Sequence, residues 1–363
     1  MKVAIIGLPK SGKTTIFNTL TKGKAEVAAY SSSLTPNIGI ARVPDSRLNV
    51  LVKAFNPKKI TPAEVNYVDI GGSLKSTSSK GEIAGELLNY LTTADALLQV
   101  VRTFEDIQIP HPDGSIDAER DISTLDMELA FSDMAIIERR LNKIGSALKG
   151  AKATERESYL KEQILLKKVK TNLDRDIPIR EQDLSQNELK ALSNYQFLTA
   201  KPIMVILNIG ENELPQSLKI ESQIKQSHPA FAVIAICGKL EMELSQLDDS
   251  NAREFRNTME LTEPALDRVI RSSYSLLGLN SFFTTGADEV KAWTIPGNIT
   301  APQAAGKVHS DIERGFIRAE VLSYADFERC GNMSEARKKG LLRTEGKNYI
   351  VQDGDIINYL FNI

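Results

Sequence analysis

The sequence predicts an α/β protein in which a parallel sheet is interrupted by a helical insertion and followed by a smaller α+β domain. Short β-rich runs occur at residues 3–6, 65–68 and 97–101, separated by helical or loop stretches. Such runs are typical of strands buried on both faces in α/β layers. Two more runs, at 203–207 and 232–236, follow only after residue 200. We therefore expect one sheet with an insertion between its third and fourth buried strands.

The insertion shows apolar residues near helical spacing, first from Leu125 to Leu148 and again from Leu160 to Leu173. Residues 149–152, Lys-Gly-Ala-Lys, form a plausible turn between them. The prediction is an antiparallel helical hairpin that projects from the α/β body.

Beyond about residue 277 the pattern changes to short strands, at 317–321, 349–351 and 356–360, with Asp353-Gly354-Asp355 as a turn. This change predicts a separate, small α+β domain. The predicted boundaries are 1–116 together with 197–276 for the α/β domain, 117–196 for the helical insertion and 277–363 for the C-terminal domain.

Composition favours a cytoplasmic, globular protein without a membrane partner, and a monomer is the working expectation for its oligomeric state. The 363 residues are 42% hydrophobic and 25% charged, and no apolar run is long enough for a membrane span or a secretory signal. Cys237 and Cys330 stand in unrelated segments, so neither a disulfide nor a metal knuckle is expected. The three histidines, His111, His228 and His309, show no metal-binding spacing and are interpreted as structural.

Charge is unevenly distributed along a chain whose net charge is only -2. Between residues 139 and 170, ten Lys and Arg face three Glu, which gives this segment a net charge of +7. Its turn and the following helix start carry Lys149, Lys152 and Arg156, the candidate partner surface. Such a patch suits phosphate groups of a nucleic acid. A merely solvated helix face remains the alternative.

The residues Gly7-Leu8-Pro9-Lys10-Ser11-Gly12-Lys13-Thr14 form the pattern Gly-x4-Gly-Lys-Thr between an apolar run and a helix start. This context predicts a phosphate-binding P-loop. Backbone N–H groups and the helix N-terminus would bind phosphate oxygens, Lys13 would reach the β- and γ-phosphates, and Thr14 would bind Mg²⁺. The candidate phosphate-binding residues are Gly7, Lys10, Ser11, Gly12, Lys13, Thr14 and Thr15.

A second nucleotide motif follows the strand at 65–68. Asp69-Ile70-Gly71-Gly72 matches the Asp-x-x-Gly that holds Mg²⁺ through water and senses the γ-phosphate. Gly72 and Ser73 lead into the small-residue stretch 76–81, which is typical of a switch segment. Asp69, Gly72 and Ser73 are therefore candidate switch residues.

The candidate base site begins at Asn208-Ile209-Gly210-Glu211, where a GTPase would carry Asn-Lys-x-Asp. A carboxylate at the fourth position reads guanine, and the lysine side chain covers the base. Here Ile209 replaces the lysine and Glu211 is one methylene longer, so guanine recognition should suffer. The Asn208 amide could pair bidentately with adenine N6 and N7. Cys237 and Gly238, after the strand at 232–236, complete the candidate base-binding set.

The chain resembles the Obg-like ATPase (YchF) subfamily of translation-factor-related P-loop proteins along its whole length. The resemblance is carried by residues 36–39 (PNIG), 43–45 (VPD), 100–105 (VVRTFE), 198–202 (LTAKP), 208–211 (NxxE), 292–295 (AWTI), and above all 300–309 (TAPQAAGKVH) and 313–320 (ERGFIRAE). It implies a G-type P-loop NTPase domain, an inserted helical domain and a C-terminal TGS domain of β-grasp type. It also implies ATP in preference to GTP, slow hydrolysis and association with ribosomes, so ribosomal RNA becomes the expected partner of the basic hairpin.

The family pattern also assigns Mg²⁺ coordination to a Thr three positions before Pro-Asn, and this chain has Ser33 there. Two departures matter more. The family P-loop usually reads Asn-Val-Gly-Lys-Ser, but here it reads Lys10-Ser11-Gly12-Lys13-Thr14. The family carries a hydrophobic residue after Asp-x-x-Gly, but this chain has Ser73, which is too short to position the attacking water. The Lys10 ammonium could itself lie beside the phosphates, or it could point into solvent.

These observations favour a slow Mg²⁺-dependent ATPase, with GTP as a further substrate, that acts as a nucleotide-controlled switch on ribosomes. Catalysis would rest on positioning and on charge neutralisation by Lys13, Mg²⁺ and loop amides. Three alternatives remain open: a binding module whose hydrolysis is incidental, a GTPase that prefers GTP, and a small-molecule phosphotransferase. The last is disfavoured because the insertion lacks the form of an Arg-rich lid.

Overall fold

The computed structural model describes residues 1–23, 36–71, 85–259, 261 and 263–362. The chain divides into two compact units. The first unit comprises residues 1–39 and 66–266, and the second comprises residues 40–65 and 267–363. This division differs from the predicted boundaries, because residues 40–65 group with the C-terminal residues and not with the α/β domain. Within the described residues, no helix has the length and apolar character that a membrane span requires.

The strands are numbered in chain order: β1 (Lys2–Ile6), β2 (Asn37–Arg42), β3 (Lys59–Thr61), β4 (Glu64–Asp69), β5 (Ala96–Arg102), β6 (Ile203–Asn208), β7 (Ala232–Ile236), β8 (Leu279–Thr285), β9 (Glu289–Pro296), β10 (Phe316–Ser323), β11 (Arg343–Glu345) and β12 (Asp355–Phe361). They form two sheets, in the orders β2-β4-β1-β5-β6-β7 and β11-β10-β12-β8-β9-β3.

The helices are α1 (Lys13–Thr21), α2 (Ser46–Phe55), α3 (Gly85–Thr93), α4 (Ala118–Ala147), α5 (Ala153–Leu173), α6 (Gln186–Leu192), α7 (Ser217–Ser227), α8 (Gly238–Leu244), α9 (Asp249–Thr258), α10 (Ala265–Leu276), α11 (Ala301–Val308), α12 (Ser310–Arg314), α13 (Tyr324–Cys330) and α14 (Met333–Lys338). Short 3-10 turns occur at Ile179–Glu181, Ser193–Tyr195, Leu198–Ala200 and Glu211–Gln216.

The first sheet contains the five β-rich runs predicted from the sequence, as β1, β4, β5, β6 and β7. Every side chain of β5 and β6 is buried, which explains why these strands lack the alternation of a half-exposed sheet. β5 and β6 are parallel neighbours, with Leu97 opposite Ile203 and Arg102 opposite Asn208. The chain between them is therefore an insertion between adjacent strands, and this part of the prediction is confirmed.

The insertion begins with the hairpin of α4 and α5, which confirms the predicted antiparallel helix pair. Arg140 on α4 binds Glu162 on α5 through Nε and Oε1 at 2.6 Å. The buried carboxylate of Asp133 on α4 accepts hydrogen bonds from the backbone N–H groups of Leu198 and Thr199, both at 2.8 Å, and from the Thr199 hydroxyl. Burial raises the pKa of Asp133 to about 6, although these hydrogen bonds act to lower it. Asp133 thus ties the first hairpin helix to the segment that re-enters the sheet.

The second sheet is mixed. β10 pairs antiparallel with β11 and β12, β8 pairs antiparallel with β9, and β3 joins β9 in parallel. Its core includes Phe282, Ile295 and Val321, packed with the small residues of α11. The predicted strand at 349–351 is wrong. Within the described residues, Ile350 forms only an isolated bridge to Thr300. The bridge consists of two hydrogen bonds, from the N–H of Ala301 to the carbonyl oxygen of Tyr349 and from the N–H of Val351 to the carbonyl oxygen of Ile299.

Candidate functional site

The P-loop lies between the buried strand β1 and helix α1, as predicted. Gly12 stands at the helix N-terminus with φ 93°, and a Cβ there would lie 2.3 Å from Asn208 Nδ2. A Cβ at Gly7 would lie 2.4 Å from the carbonyl oxygen of Val100. Both positions therefore require glycine. The loop presents the N-terminus of α1, whose first turn has no acidic residue, to the position where an anion would bind.

Lys10 adopts a left-handed backbone, with φ 63°. Residues other than Gly, Asn and Asp rarely adopt this conformation, because Cβ approaches the following carbonyl oxygen. The loop imposes it on Lys10 and so keeps part of the backbone strained. Whether the Lys10 ammonium contacts phosphate stays a prediction, as does the same role for the partly exposed Thr15.

Lys13 is buried at the start of α1 and folds back onto the loop. Its Nζ donates hydrogen bonds to the carbonyl oxygens of Gly7 at 2.9 Å and Leu8 at 3.0 Å. Burial lowers the pKa of Lys13 to about 8, and the negative charge of Asp69 opposes this shift. The ammonium is therefore poorly solvated, and phosphate oxygens would stabilise its charged form.

Thr14 and Asp69 come together at the carboxyl edge of the sheet, where β4 runs parallel to β1. The Thr14 hydroxyl donates to Asp69 Oδ2 at 2.8 Å. Asp69 is 1% exposed, and its Oδ1 has no hydrogen-bond partner in the part of the chain that the structure describes. A hydroxyl and a carboxylate with an unused, buried oxygen are suitable ligands for Mg²⁺, which prefers hard oxygen donors. The residues present thus fit the predicted metal; Ser33, Gly72 and Ser73 lie outside the described residues.

Asn208 does not present its amide to a base as predicted. Its Nδ2 donates to the carbonyl oxygen of Ser11 at 2.9 Å, and its Oδ1 accepts from the N–H of Gly238 at 3.0 Å. The residue is 5% exposed, so both amide atoms serve the protein backbone. The physical reason is that the P-loop and the start of α8 each leave a polar backbone group at the end of β6. Asn208 therefore connects the P-loop to the start of α8 through its side-chain amide.

Ile209 also departs from the predicted base-binding role. It is 1% exposed and packs in the core of the first unit, so it cannot lie over a base as the lysine of a GTPase does. Cys237 is buried as well, and burial raises the pKa of its thiol. Gly238 lies against Asn208, since a Cβ there would lie 3.0 Å from Asn208 Oδ1, and its base-binding role stays a prediction.

Glu211 is the member of the candidate base set that reaches solvent, and it has a partner that the sequence analysis missed. Lys239 Nζ lies 3.1 Å from Glu211 Oε1, and both side chains are substantially exposed. The bond to Glu211 raises the pKa of Lys239. The two residues follow neighbouring strands, β6 and β7, and the proximity of these strand ends is the signal that could have identified the pair. A charged donor and acceptor thus lie together beside Cys237 and Gly238.

A polar layer behind the P-loop was also missed. Ser11 Oγ, Gln99 Oε1 and Arg102 Nη1 are buried, and none has a hydrogen-bond partner among the residues described. They line one small cleft together with His111 and Asp121, whose side chains bond through Nε2 and Oδ2 at 2.9 Å. Desolvation lowers the pKa of Arg102, whose guanidinium stacks 4.5 Å from the Phe104 ring centre. One side of the P-loop therefore faces buried polar side chains from β5 and from the segment that leads into α4.

Some of the basic side chains of the hairpin are in ion pairs, so fewer of its positive charges are available to a partner than its net charge indicates. Four of its basic residues bind carboxylates, in the pairs Arg140–Glu162, Lys161–Glu157, Lys168–Glu188 and Lys170–Glu138. Lys149, Lys152 and Arg156 lie at the turn and the start of α5, exposed, and form no ion pair within the described residues. The tip thus keeps three available positive charges.

Two family models match the chain. One, described as a 50S ribosome-binding GTPase, matches residues 2–139, and the other, named YchF-GTPase_C and described as a protein of unknown function, matches residues 279–362. The chain is 37% identical over 368 residues to the ribosome-binding ATPase YchF of Bacillus subtilis (strain 168), with 100% of both chains covered. It is 39% identical over 366 residues to the protein of the same name in Haemophilus influenzae, with 100% of this chain and 99% of that one covered. Among solved structures, the YchF GTPase of Schizosaccharomyces pombe is similar over 99% of this chain and 97% of that chain, with TM-score 0.87 and 31% identity.

Proposed function

This chain belongs to the YchF family, and from that premise we propose that it is a slow Mg²⁺-dependent ATPase that acts as a nucleotide-controlled switch on ribosomes. The single observation that supports the chemistry best is the contact of Thr14 with Asp69 beside Lys13, at the N-terminus of α1. The choice of ATP as the nucleotide and of the ribosome as the partner follows from the names of these relatives. Ribosome binding implies a cytoplasmic protein, and we propose that it works as a monomer.

The site would bind a nucleoside triphosphate through its phosphates. The N–H groups of residues 10–15 and the dipole of α1 would face the phosphate oxygens, and Lys13 would exchange its bonds to Gly7 and Leu8 for bonds to the β- and γ-phosphates. Thr14 and Asp69 would hold Mg²⁺, with Ser33 as the proposed third oxygen ligand. When bound, the metal neutralises charge on the phosphates and so supplies electrostatic stabilisation to phosphoryl transfer.

Low turnover follows from what surrounds the phosphates. The residues proposed for catalysis position the nucleotide and compensate its charge, and Ser73 is too short to orient water as a Gln would. Rate enhancement would therefore come mainly from positioning and electrostatics, with the remaining contribution left to a partner. Gly72 and Ser73 would act with Ser33 and Asp69 as the switch that the triphosphate orders and the diphosphate releases.

We propose ATP as the preferred nucleotide and GTP as a weaker substrate. A guanine site needs a free carboxylate and a lysine over the base, but residue 209 is a buried isoleucine and Glu211 is paired with Lys239. Guanine would have to compete with that ion pair for Glu211. A GTP-preferring enzyme remains the second candidate, because the same pair offers both a donor and an acceptor to either purine.

The partner surface that we propose is the hairpin tip with Lys149, Lys152 and Arg156, which would contact phosphates of ribosomal RNA. Co-sedimentation of the protein with ribosomal subunits, in ATP and in ADP, tests the function as a whole. We expect association in one nucleotide state and its loss in the other. Equal association in both states, together with undiminished binding by a hydrolysis-deficient variant, would favour a binding module with incidental hydrolysis.

A further inference from the structure

Residues 40–65 connect the two nucleotide motifs along the chain but pack in the C-terminal unit. The segment follows Ser33, the proposed Mg²⁺ ligand, and ends shortly before Asp69. It contains α2 and β3, together with the end of β2 and the start of β4. Both of its ends therefore continue directly into chain that is proposed to sense the γ-phosphate.

Arg47 fixes the start of α2 within the C-terminal unit. Its Nη1 lies 2.6 Å from Asp353 Oδ2, and its Nε and Nη2 lie 2.9 and 2.8 Å from the two carboxylate oxygens of Asp45. Asp353 Oδ1 in turn accepts from the N–H of Ser281 at 2.8 Å, and the guanidinium carbon lies 5.3 Å from the Phe283 ring centre. Burial opposes the charge, but the hydrogen bonds to Asp45 and Asp353 outweigh it and raise the pKa of Arg47.

The turn that carries Asp353 is shaped around this arginine. Gly354 has φ 88°, and a Cβ there would lie 2.8 Å from Arg47 Nη1. The N–H of Gly354 donates to the carbonyl oxygen of Ser281 at 2.8 Å. Arg47 thus joins α2 to the segments before β12 and within β8 at one point.

Two further contacts hold the rest of the segment. At the end of α2, Phe55 stacks on Phe327 with 5.8 Å between ring centres. β3 pairs in parallel with β9, and the Thr61 hydroxyl donates to Glu289 Oε1 at 2.6 Å. The segment is therefore held at its start, middle and end. A displacement at one of its ends would strain these contacts.

We propose that residues 40–65 are the route by which bound nucleotide alters the C-terminal unit, with Arg47 as the positioning residue that couples them. The inference rests on the proposed function. The triphosphate with Mg²⁺ contacts the chain on both sides of the segment, and the diphosphate loses the γ-phosphate contacts, so the two ligands favour different positions of its ends. Coupling of this kind is reciprocal: loosening the Arg47 contact must change the relative affinity for the two nucleotides.

Hydrogen exchange of the full chain tests the proposal, compared between Mg²⁺–ADP and Mg²⁺ with a non-hydrolysable β,γ-imido analogue of ATP. In the parent we expect the exchange rates of amides in β3 and β9 to differ between the two ligands by about fivefold or more. Arg47→Ala should remove that difference and change the ratio of the two dissociation constants by a similar factor. A purely structural arginine would speed exchange equally in both states and leave the ratio unchanged.

Arg329→Ala is the matched control, since Arg329 also pairs with an aspartate in the C-terminal unit, Asp326, but is mostly exposed and forms no hydrogen bond or ion pair with the described residues 40–65. It should retain both the exchange difference and the affinity ratio. Asp353→Asn provides a second variant should Arg47→Ala unfold, and we expect the same loss of coupling. Equal exchange of β3 and β9 in both ligands, or a parental affinity ratio in both variants, would overturn the proposal. Failure of the parent to bind either nucleotide would refute the proposed function first.

Discussion

The Thr14 hydroxyl lies 2.8 Å from Asp69 Oδ2 at the carboxyl edge of the first sheet, while Asp69 Oδ1 is buried without a partner among the described residues. An ionised carboxylate with an unused oxygen in a buried place is costly unless a cation or donor completes it. A cation such as Mg²⁺ at Asp69 Oδ1 would therefore stabilise this arrangement.

Asp69→Asn is expected to lower kcat/KM for ATP hydrolysis by about a hundredfold or more, because the amide removes the negative charge that holds Mg²⁺. Binding of ADP without Mg²⁺ should change little. Titration of Mg²⁺ in a steady-state ATPase assay measures the effect as a higher Mg²⁺ requirement. Asp95→Asn, a change at the opposite edge of the sheet where Asp95 accepts from the N–H of Lys2, is the control. Parental Mg²⁺ dependence in Asp69→Asn would exclude Asp69 as a metal ligand.

The affinity for ATP is expected to fall as pH rises above about 8, the lowered pKa of Lys13 in the free protein. Phosphate raises the pKa of Lys13 in the complex, so binding takes up a proton wherever free Lys13 is neutral. Kd should therefore be flat below that pH and rise about tenfold per pH unit above it. Above pH 8 the triphosphate is fully ionised and contributes no slope of its own. Lys13→Arg, whose guanidinium stays charged, should show a flat profile, and a flat profile in the parent would contradict the prediction.

Asn208→Ala is expected to weaken binding of ATP and GTP by the same factor, about 10- to 100-fold, because two hydrogen bonds of about 1 kcal/mol each are lost from the loop walls. Competition titration measures both affinities, with ATP preferred in the parent. Asn251→Ala, at an exposed helix start, is the control. A change in the ATP-to-GTP ratio would instead return Asn208 to base recognition.

The sheet strands and the P-loop could be predicted because their signals are local. β5 and β6 are mainly apolar and buried throughout, although β5 also contains Gln99 and Arg102, and the glycines of the loop have a fixed spacing. β3 could not be predicted in the same way, since it has three residues and exists only by pairing with β9. The expected strand at 349–351 does not form, although its apolar side chains fit the core, because within the described residues it pairs with other chain only at the single bridge to Thr300.

The placement of residues 40–65 shows the limit of sequence reasoning more clearly. It depends on the contact between Arg47 and Asp353, which are 306 positions apart. No local pattern indicates that the arginine two residues after Asp45 will bind Asp353. The same holds for Asn208. Its motif predicted a base contact, but the backbone groups of Ser11 and Gly238 that occupy its amide come from two distant loops.

Replacing Lys149, Lys152 and Arg156 by Glu is expected to abolish co-sedimentation with ribosomes while ATPase activity in the absence of ribosomes stays at the parental level. The three charges are exposed and unpaired in the described structure, so their contacts with RNA phosphates would carry a salt slope of about 2–3. Replacing Lys190, Lys219 and Lys225, also exposed, by Glu alters charge equally at other positions and should retain binding. Unchanged co-sedimentation of the tip variant would identify the hairpin as a solvated helix face.

Lys10→Asn is expected to raise the free energy of unfolding by about 1 kcal/mol relative to Lys10→Ala, because the loop holds residue 10 at φ 63° and asparagine tolerates the left-handed backbone better than lysine or alanine. Both changes remove the same ammonium, so their difference isolates the backbone effect. Urea unfolding without nucleotide measures it.

Lys53→Asn provides the comparison with the opposite sign. Lys53 is exposed within α2, where asparagine is a weaker helix former, so the same substitution should lower the free energy of unfolding by about 0.5 kcal/mol. If Lys10→Asn and Lys10→Ala were equally stable, the left-handed backbone at residue 10 would carry no strain. The family's asparagine at this position would then need a reason in the nucleotide complex and not in the free loop.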